Sequence, residues 1–197
     1  MRKKIIYIIT CTLLFTLLPP NISYAENTAE PQITDDQNDT PLPFLDIKSA
    51  WFYENPDEPQ YLFTALEVQT ICLKTNAVLT IRWNLNGKDY VSAFDIKAFQ
   101  KDVFRSGDPK RATHWQWIHM PECEGTFDLT TNIITWKILK SNIGNPEKND
   151  VLTNTRATAV PSGITSVLFF IMGRDYRDFA PNQQGTYGSD YQIQYTG

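Results

Sequence analysis

The sequence predicts an all-β fold, an antiparallel β-sandwich of about nine or ten short strands with immunoglobulin-like or jelly-roll-like connections. Three observations predict it. Over residues 125–152, Phe127 and Leu129 alternate with polar neighbours, Thr130, Thr131 and Asn132 supply a turn, and Ile134, Trp136 and Ile138 share one face of a returning strand. Over residues 77–96, two more alternating segments flank Asn86-Gly87, a pair suited to the positive φ angles of a type I′ hairpin turn. Short runs separated by turn residues recur along the chain, and none sustains a helical period, which favours a sandwich over a parallel α/β sheet.

The 197-residue chain opens with Arg2, Lys3 and Lys4, an apolar run over 5–18, Pro19-Pro20 and a small-residue site at Ser23-Tyr24-Ala25. This order is that of a secretory signal peptide, residues 1–25, cleaved after Ala25. The apolar run is shorter than the roughly 18 residues of a membrane anchor, so no transmembrane anchor is expected after cleavage. Cys11 leaves with the signal, and Thr10 before it is unsuited to a lipidated cysteine. Cys72 and Cys123 remain, and an even pair in an oxidising compartment reads as a disulfide. Closing a loop of about 50 residues, it would contribute on the order of 3–4 kcal/mol.

Charge narrows the partners. Without Arg2, Lys3 and Lys4 the chain keeps 15 basic against 22 acidic residues, a net charge of −7. Glu26, Glu30, Asp35, Asp36 and Asp39 hold five of those acids in residues 26–43, leaving a net −2 from Phe44 onward. A nearly neutral domain excludes nucleic acid and anionic membrane surfaces as expected partners. Residues 26–43 are acidic and Pro-containing with almost no large apolar side chain, and read as a disordered tether. Asn38-Asp39-Thr40 within it is a formal glycosylation sequon.

One compact domain, residues 44–197, should follow. Residues 45–53 form a first strand with Leu45, Ile47, Ser49, Trp51 and Tyr53 on one face. Pro56 and Pro59 make a turn that cannot continue a ladder. Residues 61–69 carry Leu62, Leu66 and Val68 inward. In the 77–96 hairpin a two-residue loop pairs Leu85 with Lys88, Trp83 with Tyr90, Ile81 with Ser92 and Leu79 with Phe94. Residues 97–112 read as a polar excursion with a short helical turn at 98–104, and 114–120 as a strand. Ser141 reads as the N-cap of a single helical turn ending at Gly144. Residues 151–159 resume strand character. The apolar run 164–172 reads as a strand buried on both faces, 173–189 as a loop and 190–195 as a last strand.

The run GTFDLTTNIITWKILKSNIGNPEKNDVLTNTRA, followed by Arg177-Asp178-Phe179-Ala180-Pro181 and Gly188-Ser189-Asp190-Tyr191, resembles the C-terminal β-sandwich of many secreted archaeal and bacterial proteins. Those domains are similar to DOMON-like and carbohydrate-binding-module-like sandwiches. The resemblance spans about residues 45–195 and implies fold more than activity. Asn149 stands where Gly is usual before Asp150. Phe179 stands where Arg is usual in D-R-A-P, so any contact made by that arginine has no counterpart here.

No residue set declares a reaction. On a strand, the spacing of His114 and His119 puts them on opposite faces, which defeats a shared zinc ion. There is no G-x-S-x-G elbow to single out a nucleophile, so no catalytic residue and no enzyme is expected. Asp46, Asp175, Asp178 and Asp190 could supply oxygen ligands to a structural Ca²⁺; the competing reading is that the loop aspartates pair with Arg174 and Arg177 or cap turns. No other cofactor is expected. Trp115, Trp117, Tyr176, Phe179 and Tyr187 could stack on sugar rings, although Trp115 and Trp117 are more simply core. The expectation is a secreted, extracellular or surface-associated binding sandwich without catalysis, its ligand a glycan or a cell-surface protein. A glycan-binding module is the alternative and a secreted hydrolase the third reading.

Overall fold

The computed structural model describes residues 30–98, 101–109, 120–172, 176–182 and 185–197. The expected signal peptide and all but Met120 of the strand expected at 114–120 lie outside them. The described residues form eleven strands in two antiparallel sheets, confirming the all-β sandwich. One sheet runs in the order β1 (Ile33–Thr34), β2 (Ile47–Tyr53), β3 (Tyr61–Val68), β8 (Ile133–Leu139), β7 (Glu124–Asp128). The other runs β10 (Asp178–Ala180), β9 (Val151–Pro161), β4 (Ala77–Leu85), β5 (Lys88–Ile96), β6 (Val103–Gly107), with β11 (Tyr191–Gln192) also pairing β9.

Both expected hairpins form. β4 and β5 pair Leu85 with Lys88, Trp83 with Tyr90, Ile81 with Ser92 and Leu79 with Phe94. Asn86 (φ 52°) and Gly87 (φ 80°) make the turn. β7 and β8 close through Asn132 at φ 58°. Ile134, Trp136 and Ile138 have no solvent exposure and meet Leu79, Ile81 and Phe94 between the sheets. Phe104 stacks on Phe94 with centroids 4.3 Å apart and meets Trp136 edge-on at 6.0 Å. Leu62, Leu66 and Val68 point inward as their alternation predicts.

Several expectations are corrected. Residues 30–43 are not a tether throughout: β1 extends the first sheet through Ile33 opposite Ala50, and Ile33 is wholly buried. One apolar side chain at an edge position suffices there, a signal that composition averages away. In β2 the register shifts between Ile47 and Ser49, and this bulge changes the phase of alternation. Ala50 and Phe52, rather than Trp51 and Tyr53, therefore join Ile47 in the central core.

Residues 103–107 are the edge strand β6, so the end of the helical turn expected at 98–104 is extended, while residues 99 and 100 lie outside the described residues. Phe104 takes this strand because it pairs with Phe94 and covers the open end of the core. The apolar run after β9 is helix α1 (Gly163–Ile171). Its partner strand β4 begins at Ala77 opposite Pro161, so no ladder remains for the following residues, and Gly163 at φ 54° turns the chain away. Val167, Leu168 and Ile171 on α1 are exposed instead of buried on two faces. Among the described residues no helix is long and apolar enough to cross a membrane.

The turn at Lys140–Ile143 is 3₁₀ and ends at Gly144 (φ 89°), as expected, but Leu139 is its N-cap and Ser141 lies within it. The last strand is two residues long. Residues 193–197 are tied down by other contacts: Ile193 exchanges backbone hydrogen bonds with Asn149 and Asp150.

Candidate functional site

Two features stand out from the packed sandwich. The first is a set of aspartates at the sandwich end where residues 35–46 arch from β1 to β2. Beyond the Thr34–Ser49 pair, Asp35 N–H donates to Lys48 C=O at 3.1 Å, which holds the start of the arch against β2. Asn38 N–H donates to Asp46 Oδ2 at 2.8 Å, holding its end. Asp178, at the start of β10, accepts Ile47 N–H on Oδ2 at 2.7 Å and its neighbour Phe179 N–H on Oδ1 at 2.8 Å. Two segments distant in sequence, the arch and the start of β10, thus deliver carboxylates to one place.

Carboxylate oxygens of Asp35, Asp39 and Asp178 lie within 4.8 Å of one another. Asp46 adjoins them closely enough that its charge raises the proton affinity of both Asp39 and Asp178. Burial, followed by the charges of Asp178 and Asp39, pushes the Asp35 carboxyl up to about 7. Burial above all pushes Asp178 up to about 6, against the two backbone N–H donors that favour its anion. Among the described residues none of the four carboxylates forms an ion pair. Asp36 and Asn182 close one flank: Asp36 N–H donates to Asn182 Oδ1 at 2.8 Å and Asn182 Nδ2 donates to Asp36 Oδ2 at 2.6 Å.

The second feature is a half-open groove of about 1070 Å³ that straddles edge strand β7. Tyr53 and Phe63, cross-strand partners on the outer face, stack along its wall with centroids 5.0 Å apart and planes 16° apart. Thr126 and Thr135 contribute hydroxyls. Asp102, Glu122, Glu124 and Asp128 outnumber Lys101 and Lys137 on the lining, so the groove is acidic. Burial pushes the Cys123 thiol in this lining up to about 12, which keeps it protonated and a poor nucleophile at neutral pH.

The expected site residues are distributed unevenly. Asp178 joins the group with Asp46 beside it, Asp190 is exposed outside the group, and Asp175 lies outside the described residues. Asp35 and Asp39 complete the group; their only sequence signal was an acidic run that composition assigned to a tether. Of the aromatic residues, Tyr176 is buried and packs with the core, and Phe179 is half-buried beneath the Arg177 guanidinium at 5.5 Å. Tyr187 is exposed, with Arg156 5.9 Å from its ring centre. These three present no shared platform. Trp115, Trp117 and both histidines lie outside the described residues. Tyr53 carried no signal, because which face of β2 turns outward depends on the bulge, whereas the alternation of Leu62, Leu66 and Val68 already turns Phe63 to the other face of β3.

The expected disulfide is not formed: Cys72 and Cys123 are free thiols. Cys123 precedes the Glu124–Lys137 pair at one end of β7. Cys72 follows Ile71, whose N–H donates to Asn132 Oδ1 in the turn beyond the Asp128–Ile133 pair at the other end. Five strand residues at about 3.4 Å each put these ends ~17 Å apart, well beyond the roughly 4.4–6.8 Å Cα spacing of a disulfide.

No family model matches the chain, and no curated protein or solved structure matches it either.

Proposed function

We propose that this protein is a secreted, non-catalytic β-sandwich that acts by binding, and that its groove over β7 takes an uncharged, ring-containing polar chain, a glycan, outside the cell or at its surface. The basic, apolar and small-residue order of residues 2–25 supports secretion. The groove carries the binding reading. Its volume of about 1070 Å³ suits several sugar rings, and the half-buried Tyr53 ring, backed by the buried Phe63, lines its wall. Threonine hydroxyls and carboxylates beside the pair can accept and donate to sugar hydroxyls. The excess of carboxylates disfavours phosphates, nucleic acid and anionic lipid. The groove's thiol is held protonated, which supports binding rather than nucleophilic catalysis.

A glycan array followed by fluorescence titration tests the reading. Thr126 is exposed on the groove lining, so Thr126→Trp fills the groove with little effect on the core. Binding by the native protein that falls at least about tenfold in this variant is expected for a groove ligand. Silence across the array, or equal binding by the filled variant, would sink it.

A further inference from the structure

We propose that Asp35, Asp39 and Asp178, with Asp46 beside them, form a calcium site that fastens the arch of residues 35–46 to strand β10. The inference is independent of the groove, which lies on the β7 edge of the other end of its sheet.

An acidic group alone would not require a cation, since exposed carboxylates repel weakly in water. Here the oxygens of Asp35, Asp46 and Asp178 are withdrawn from water, and only Asp39 is exposed. Asp46 has no solvent exposure; Asn38 N–H occupies its Oδ2, while Oδ1 has no hydrogen-bond partner. The charge of Asp46 acts on both Asp39 and Asp178, which places it beside the group. Both oxygens of Asp35 are also inaccessible, and although the Asp36 and Asn182 backbone groups favour its anion, neither oxygen has a hydrogen bond of full geometry. Buried, unsatisfied carboxylate oxygens are costly unless a positive charge meets them. Among the described residues no lysine or arginine supplies it.

The ligand chemistry points to calcium, and the spacing admits it. Oxygens bound to calcium at about 2.4 Å can lie up to ~4.8 Å apart across it, and the oxygens of Asp35, Asp39 and Asp178 fall within 4.8 Å of one another. Zinc prefers nitrogen and sulfur ligands, and the group contains neither histidine nor cysteine. Magnesium demands a near-ideal octahedron and keeps most of its water, whereas calcium accepts several carboxylates in irregular array. The backbone donors to Asp178 and Asp46 aim these carboxylates before any ion arrives. Asp39 is exposed, and Asp35 also borders a cavity of about 330 Å³ beside Asn182 and Thr186, so an ion and its remaining waters can enter.

The test uses the purified protein stripped with EDTA. It is titrated with CaCl₂ and, in parallel, MgCl₂ by calorimetry, and its thermal unfolding is followed with and without calcium. One calcium per chain and a rise in the unfolding temperature are expected. Asp35→Asn should weaken calcium at least about tenfold, because affinity follows the charge of the ligand set. Without calcium this variant should melt no lower than the native protein, since one repelling charge is gone, so its lost response cannot be put down to misfolding. Asp190→Asn, an exposed carboxylate outside the group, should respond as native. Absence of calcium heat and of any thermal shift, or an undiminished response in Asp35→Asn, overturns the proposal. Equal affinity for magnesium overturns the assignment to calcium.

Discussion

Lys140 Nζ lies 2.8 Å from Glu54 Oε1, and both side chains are almost completely withdrawn from solvent. The contact is an ion pair rather than an aligned hydrogen bond, since Oε1 has no partner of hydrogen-bonding geometry. Glu54 Oε2 accepts Tyr191 O–H at 3.2 Å and Gln194 N–H at 2.6 Å, and Lys140 donates to Tyr195 C=O. Burial and the neighbouring Glu54 charge raise the Tyr191 phenol well above its ordinary range, so it remains a donor. The network joins the chain after β2, the 3₁₀ turn after β8 and the C-terminal strand.

Removing one partner should therefore leave a buried charge unmatched. Glu54→Gln and Lys140→Met are each expected to lower stability by about 3–5 kcal/mol in urea unfolding. The double variant should lose less than the sum of the two. Losses below about 1 kcal/mol, the range of exposed pairs, would show that the network does not hold the C-terminal strand.

Gly125 sits against the ring of Phe104, which a Cβ at this position would penetrate. Gly125→Ala should push Phe104 off Phe94 and cost about 1–3 kcal/mol, as overpacking does. In Phe104→Ala the space exists, so adding Gly125→Ala there should cost little more. Equal costs in the two backgrounds would refute the contact.

Cys123 gives a pH dependence of defined sign. Its thiol rises from an ordinary value of 9.0 to about 12 in the folded protein, chiefly through burial. The unfolded chain therefore loses this proton first. The contribution of Cys123 is fully present below pH 9 and is lost as pH rises from there to about 12. Alkylation near pH 8 should be slow at Cys123 in the folded protein and rapid in denaturant. Unfolding curves of the native protein and Cys123→Ala should converge toward high pH; a constant difference would contradict this.

The sandwich was legible because its hairpins are local. Asn86-Gly87 sets the register of β4 and β5 by turn geometry alone, and every cross-strand pair follows from it. The alternation of Ile134, Trp136 and Ile138 needed no tertiary information either. What escaped depends on partners far along the chain. Phe104 is a strand residue because Phe94 and Trp136 need a cover, and α1 forms where β4 offers no further pairing. The bulge after Ile47 moves Tyr53 to the outer face, and no spacing in the sequence marks it. Asp35 and Asp178, 143 positions apart, are joined only when β1 extends one sheet and β10 the other. Asp46 and Asp178 could be suspected as oxygen donors, but their companions lay in a stretch whose composition argued for disorder.

The most direct measurement of the central claim, that aspartates from this stretch hold a cation that locks it to the sandwich, is amide hydrogen exchange in EDTA and in calcium. Exchange at Asn38, Ile47 and Phe179, whose N–H groups bind Asp46 and Asp178, should slow at least about tenfold in calcium. Amides of the β4–β5 hairpin, remote from the arch along the chain, should change less and serve as the reference. Identical exchange at all three amides with and without calcium would contradict the account.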